Sequence, residues 1–158
     1  MKDLILVKHA SGAPGLRFFG LGPMFSPKRG ILKLKSLLSK NTLWAKKRST
    51  KDIKKMLSNS VVVVSVWKDN TMIGFGRATS DEIYRAVLWD IVVDKQHQNS
   101  GIGKIIVNSI LENNLIAEAE RIYVMTTNFE TFYSKMGFLS EEKQKLMLLK
   151  KKGNGFSK

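Results

Sequence analysis

Val93-Asp94-Lys95-Gln96-His97-Gln98-Asn99-Ser100-Gly101-Ile102-Gly103-Lys104 lies between two segments of opposite character. Before it, Ala86–Val93 is an apolar run broken by a single acid, Asp90, which is the pattern of a strand covered on both faces. After it, Ile102, Ile105, Ile106, Ser109, Ile110 and Asn113 recur at helical spacing. A buried strand that turns through two glycines into a helix leaves first-turn N–H groups without partners. Together with the helix dipole, those amides favour a phosphate or pyrophosphate. Lys95 and Lys104 add positive charge beside them.

Two familiar phosphate loops do not match the spelling. A Walker A loop needs a Ser or Thr after its Gly-Lys pair, and here Ile105 follows Gly103-Lys104. A dinucleotide fingerprint needs a third glycine at position 106, which is Ile. The pattern that remains is Gln98-x-x-Gly101-x-Gly103.

Working outward, Val61–Trp67 is a β-branched run that turns at Lys68-Asp69-Asn70 into Thr71–Arg77, which predicts an antiparallel pair. The apolar strand around Ala86–Val93 follows. The helix from Ile102 then leads to a further strand at Arg121–Thr127, and such a crossover implies parallel pairing of its flanking strands. Upstream, Leu34, Leu37 and Leu38 mark one helix. Ser49 or Thr50 starts a second, with Asp52 in its first turn and Ile53, Met56 and Leu57 on one face. Downstream, Asn128 is placed to cap a short helix carrying Phe129, Phe132, Tyr133 and Met136, which Gly137 stops, and Lys145–Lys150 is expected to form a closing strand. Residues 1–29, with all three prolines and four glycines, read as loop and short strand. The fold class is therefore α/β: a central mixed, mostly antiparallel sheet with one parallel βαβ crossover and helices on both faces.

The 158 residues fit one domain, expected at 1–150. Residues 1–48 form a variable basic front, 49–150 the core, and 151–158 a basic tail expected to be disordered. No Cys is present, which excludes disulfides, thiolate metal sites and a Cys nucleophile, and the two histidines, His9 and His97, form no two-His metal motif such as H-E-x-x-H. No metal is expected. Apolar runs reach only four residues, so no membrane partner is expected, and the compartment is read as cytoplasmic, or as plastid stroma for an organellar protein. A formal net charge of +14 suits a polyanionic ligand without choosing one.

The Gln98-x-x-Gly101-x-Gly103 loop after a buried strand resembles the acetyl-CoA loop of the GNAT N-acetyltransferase superfamily. Asn128 followed by Phe132-Tyr133-x-Lys135-x-Gly137-Phe138 resembles that family's N…FYxKxGF segment. More narrowly, Gly74–Asp81 and Trp89–Asp94 are similar to the cyanobacterial and plastid branch that includes serotonin N-acetyltransferase-like enzymes. The resemblance implies that backbone groups of Ile91, Val92 and Val93 pair with the pantetheine amides. It implies that Gln98, Asn99, Ser100, Gly101, Ile102, Gly103 and Lys104 form the pyrophosphate loop, that Asn128 contacts the pantetheine arm, and that Tyr133 sits near the sulfur.

The implied activity is transfer of acetyl from acetyl-CoA directly to a primary amine. The acceptor is an arylalkylamine such as serotonin or, alternatively, a protein lysine or N-terminus. A phenol with a reference pKa of about 10 can donate to a departing thiolate whose thiol titrates near 8.5, so Tyr133 is the candidate acid. Asp90 is the candidate base, alone or through water, with Asp81 and Glu82 as other acids. A bulge beside Asp90 would re-aim it, so alternation alone leaves its facing open. A basic nucleic-acid-binding module and an acyl-CoA sensor remain alternatives, although no RNP-type aromatic motif or zinc finger supports the former. A monomer or homodimer is expected.

Overall fold

The computed structural model describes residues 4–149. The expected disordered tail, 151–158, lies outside the described residues. The chain divides into two compact units, Met1–Met125 and Thr126–Lys158.

The first unit holds one five-stranded sheet in the order β1 (Leu4–His9), β2 (Val62–Lys68), β3 (Thr71–Ser80), β4 (Arg85–Val93) and β5 (Arg121–Val124). The first three pairings are antiparallel and β4–β5 is parallel. This is the mixed sheet expected from the crossover. Helices α1 (Gly30–Asn41) and α2 (Thr50–Ser58) precede β2, while α3 (Ile102–Leu111) and the short α4 (Asn114–Ala117) connect β4 to β5. Ser49 caps α2 as expected, its hydroxyl accepting from the Asp52 N–H at 3.0 Å.

Side-chain alternation assigns the two faces. Leu34, Leu37 and Leu38 of α1 and Ile53 and Leu57 of α2 share a buried cluster with Val63, Trp67, Phe75 and Val92. The other face receives α3 through two glycines. A Cβ on Gly74 would lie 2.9 Å from Ile106 Cδ1, and one on Gly76 would lie 2.5 Å from Ile106 Cγ2 and 2.8 Å from Ile91 Cδ1. Only a bare backbone lets α3 lie this close to β3, which brings the start of α3 beside the end of β4. Ile102, Ile106, Ile110 and Ile116 are buried, each stabilising the fold by about 1.5–3 kcal/mol.

His9, which the sequence gives no role, joins a buried polar chain. Its Nε2 is 2.8 Å from Ser65 Oγ, which also accepts from Trp67 Nε1 at 2.8 Å. Burial lowers the His9 pKa to about 4.

In the second unit, α5 (Glu130–Ser134) is shorter than expected and is capped differently. Phe129, not Asn128, occupies the N-cap, and the Phe129 N–H donates to Thr126 Oγ1 at 3.1 Å. Gly137, at φ +91°, ends the turn as expected. The closing strand does not form among the described residues. Leu146, Met147, Leu148 and Leu149 are all exposed, and the run lacks the alternation that would commit one face to a core.

Candidate active site

β4 carries the first feature of the site. Its pairing with β5 runs from Arg85↔Arg121 to Leu88↔Val124 and stops, while β4 itself continues to Val93. From Trp89 to Val93, no strand pairs with the β5-facing edge among the described residues. Backbone groups on that edge need partners, and an extended amide-bearing ligand can supply them.

A bulge re-aims the same stretch. Phe75 pairs with Val92 and Arg77 with Trp89, so Gly76 alone faces both Asp90 and Ile91. Asp90 takes φ +53° to achieve this, a conformation unusual for a residue with a Cβ. The bulge turns Asp90 toward the α1/α2 side, where its Oδ2 accepts from Arg77 Nε at 2.6 Å and from Arg48 at 3.1 Å. Arg48 also stacks over Trp44, and Arg77 over Trp89. Asp90 is thus the centre of an ion-pair network before it is anything else. The sequence offered no sign of Arg77 or Arg48 as its partners, because Arg48 sits in the Lys46-Lys47-Arg48 run that reads as solvated charge.

The loop after β4 is pinned from several sides. Asp94 caps the turn at Lys95–His97 by accepting the Gln96 N–H at 3.0 Å. Asn41, at the end of α1, accepts the Lys95 N–H at 3.0 Å and reaches Asp94 Oδ2 at 3.4 Å. Burial pushes the Asp94 carboxyl up, but the Gln96 amide, Asn41 and His97 together hold it below its ordinary value. Gln98 donates from Nε2 to the Val93 carbonyl at 3.2 Å, so it shapes the loop. Ser100 likewise bonds the His97 carbonyl.

Gly101 then caps α3 at φ +86°, with no side-chain cap and with open space where a Cβ would stand. The first intrahelical bond nearby is Ile105 N–H to Gly101 O at 3.1 Å, which leaves the amides of Ile102, Gly103 and Lys104 as the uncapped N-terminal donors. Ile102 faces the core, so only its backbone is available, while Asn99 (φ +59°) and Lys104 are exposed. Cationic, amide-lined and open, the loop suits a pyrophosphate.

In the second unit Tyr133 is buried, with its ring edge-on to Phe132 (4.9 Å between centroids) and Phe138 (5.6 Å). Burial pushes its pKa up to about 12. Asn128 is exposed and does not cap α5. Of the other acids, Asp81 is engaged with the amides of Ile83, Tyr84 and Arg85 at 3.1, 2.7 and 2.8 Å. The Arg85 and Ile83 amides lead in holding its carboxyl below the ordinary value. It shapes the β3–β4 turn. No group of three or more His, Asp or Glu side chains suited to a metal occurs among the described residues.

The model of the acetyltransferase (GNAT) domain matches residues 59–139, 81 of 158 positions. An N-acetyltransferase ycf52 of Pyropia yezoensis is 31% identical over 100 residues, covering 60% of this chain and 58% of that protein. A ycf52-like N-acetyltransferase of Prochlorococcus marinus is 30% identical over 118 residues, covering 72% and 64%. The chain thus spans about three-fifths of the length of these relatives. Among solved structures, a GNAT-family protein of Xanthomonas campestris superposes with a TM-score of 0.68 at 20% identity, covering 90% of this chain and 88% of that one. A Streptococcus pneumoniae GNAT-family acetyltransferase gives 0.67 at 18% identity, covering 95% and 99%. With the domain match spanning half of the sequence and including the open β4 edge and the uncapped glycine loop, the chain belongs to the GNAT acetyltransferase family.

Proposed function

We propose that this chain is an acetyl-CoA-dependent N-acetyltransferase that passes the acetyl group directly to a primary amine. The observation that carries the reading is that β4 loses β5 as a partner after Leu88 and is followed by an uncapped helix start at Gly101. One end of this arrangement can hydrogen-bond an extended pantetheine through the backbone of Ile91, Val92 and Val93. The other can hold a pyrophosphate on the amides of Ile102, Gly103 and Lys104. Gln98 and Ser100 support the loop from within, and Asn128 is proposed to contact the pantetheine arm.

The amine nitrogen attacks the thioester carbonyl carbon, the C–S bond breaks, and the sulfur leaves as a thiolate that needs a proton. Tyr133 is proposed to supply it. A phenol that titrates near 12 keeps its proton throughout the neutral range and can hydrogen-bond the departing thiolate, although the raised pKa makes it a weaker acid than a free tyrosine. The amine's proton must leave as well. Asp90 is the candidate acceptor from the sequence, but its Oδ2 is already held by two guanidinium groups, which supports a role in fixing the bulge and orienting Arg77, and the amine's proton then passes to solvent water. An arylalkylamine such as serotonin is the proposed acceptor, with a protein amine as the alternative. The Arabidopsis thaliana relative named a chloroplastic GCN5-related N-acetyltransferase, 32% identical over 72 residues and matched over 28% of its length, supports a plastid-type compartment.

Coenzyme A release from acetyl-CoA, followed with a thiol-reactive dye, tests the reading against panels of aryl amines, polyamines, amino acids and lysine peptides. A chain without Cys adds no thiol background. Amine-dependent release is expected. A protein that binds acetyl-CoA but releases nothing with any panel would be an acyl-CoA sensor, and one that does not bind acetyl-CoA would refute the assignment.

A further inference from the structure

We propose that the segment from Arg17 to Lys33 is a docking surface for an anionic lipid bilayer, with Met24 and Phe25 entering the interfacial layer. Residues 20–30 form a tied loop. Gly30 N–H donates to Gly20 O at 2.6 Å, Leu21 and Pro27 pair across the neck, and Gly22 N–H donates to Ser26 O at 2.8 Å. Ser26 Oγ donates to Pro23 O at 2.9 Å, closing the tip.

Met24 and Phe25 occupy that tip at φ +55° and +56°, with 88% and 85% of their surfaces exposed. Phe18 and Phe19, just before the neck, are 68% and 72% exposed, and Leu32 just after it is 53% exposed. The loop therefore holds large apolar side chains out of the fold, in a backbone conformation that non-glycine residues rarely adopt. This is an arrangement that the core does not require.

The charge around the tip identifies the occupant. Arg17, Lys28, Arg29 and Lys33 lie within the segment, and no Asp or Glu falls between Leu4 and Lys51. Arg17, Arg29 and Lys54 rim a shallow cavity of about 340 Å³ next to Phe18, Phe19 and Leu32, and Arg17 stacks over Phe18 at 4.5 Å. Arg17 Nε is buried with no hydrogen-bond partner, so turning this side chain toward an anionic group at the rim breaks no Nε hydrogen bond.

Protruding apolar tips ringed by cations match the interface of an anionic leaflet, whose surface potential attracts basic segments while aromatic and aliphatic side chains settle at headgroup level. A peptide partner calls for a groove, and these side chains stand out of the surface. Nucleic acid calls for flat stacking faces, which Met24 and Leu32 lack. The expectation of no membrane partner rests on the lack of an apolar span, and no helix among the described residues is long and apolar enough to cross a membrane. Surface docking needs no span.

Full-length protein is co-sedimented with vesicles of phosphatidylcholine alone and of phosphatidylcholine with 30% phosphatidylglycerol, at near-physiological salt (~0.15 M). Binding is expected on the anionic vesicles only. Met24→Ser/Phe25→Ser should lower the partition at least tenfold and leave acetyl-CoA binding unchanged, so the result is independent of the acetyltransferase reading. Lys28→Gln/Arg29→Gln should lower it about fivefold per cation.

Because the chain lacks Cys, Phe25→Cys labelled with an environment-sensitive dye reports the tip alone. Its emission should shift to the blue on anionic vesicles. The same dye on Glu112→Cys, which is exposed at the end of α3 on the other face of the sheet, should not shift. Absence of binding to anionic vesicles, or equal binding by the Met24→Ser/Phe25→Ser variant, would overturn the proposal. So would the finding that poly(U) RNA, and not vesicles, loses affinity in that variant.

Discussion

Gly101 offers the sharpest test of the phosphate loop because stability and ligand binding should move in opposite directions there. Its φ of +86° penalises most side chains, yet a Cβ at this position would touch nothing within 4 Å. Gly101→Ala should therefore cost only the conformational penalty, about 1–2 kcal/mol. Asp tolerates positive φ better than Ala and is among the preferred N-caps, and its negative charge suits a helix start. Gly101→Asp should therefore be no less stable than Gly101→Ala, its charge favouring the helix start by about 0.3–1 kcal/mol, while a side-chain cap itself calls for the extended backbone that position 101 does not have. Ligand binding should respond in the opposite sense. A carboxylate about 5 Å from one phosphate charge repels it by about 1 kcal/mol in water-like surroundings and by about 3 kcal/mol at an effective dielectric near 20. Acetyl-CoA affinity should thus fall by roughly 5- to 150-fold in Gly101→Asp and by less in Gly101→Ala. Isothermal titration with acetyl-CoA and urea unfolding on the same three proteins provide the two readouts. A Gly101→Asp protein that binds acetyl-CoA as tightly as wild type refutes the phosphate-loop assignment, whatever its stability.

Gly76→Ala should destabilise by about 1–3 kcal/mol, since the new Cβ meets Ile106 at 2.5 Å and Ile91 at 2.8 Å, and urea titration against wild type checks it. Tyr133→Phe should lower turnover about 100-fold while acetyl-CoA affinity stays within twofold; an unchanged kcat would remove the general-acid role. His9 is neutral in the fold and titrates near 4, against about 6.5 when unfolded. The unfolded state then binds the extra proton as pH falls from 6.5 toward 4, so up to about 3 kcal/mol present above pH 6.5 is lost across that window. His9→Asn should flatten that part of the stability profile, as read by denaturant midpoints at pH 4, 5, 6 and 7.

Most strands and helices of the first unit were legible because they carry their period plainly, whereas β1 was read only as part of a loop and short-strand stretch and the four-residue α4 is too short to show a period. Five of the seven residues in Val61–Trp67 are β-branched, Ser49 and Asp52 spell a helix start, and the isoleucines of α3 recur at helical spacing. Gly101 was legible as a loop glycine because it stands where a strand changes into a helix. The chain end was not. Lys145–Leu149 is apolar enough for a strand but lacks alternation, so composition suggested an element that pairing does not provide among the described residues. The tip at Met24 and Phe25 was invisible for the opposite reason. Prolines and glycines announce a loop, but only coordinates show whether its apolar residues turn inward or outward.

Asp90 shows where local pattern ends and three-dimensional structure begins. An acid inside Val87-Leu88-Trp89-Asp90-Ile91-Val92-Val93 reads as a candidate base because it is the one acid in a buried apolar strand. Its partners come from 13 and 42 positions away, on β3 and just before α2, and no periodicity records those distances. The pair also accounts for the bulge. A nearly buried carboxylate shared by two guanidinium groups holds β4 in a conformation that a Cβ-bearing residue otherwise avoids, and the kink begins two residues past the last β4–β5 pair. If Asp90 fixes the bulge, Asp90→Asn should weaken acetyl-CoA binding and destabilise the fold by about 3 kcal/mol, because two guanidinium groups lose their counter-charge. Arg77→Gln made in the Asp90→Asn background should then cost much less than it does in wild type. If Asp90 is the base, Asp90→Asn should instead leave acetyl-CoA affinity intact and abolish the acidic limb of the kcat profile. The network in the structure supports the first outcome, and titration calorimetry with a pH–rate profile on that one variant separates the two.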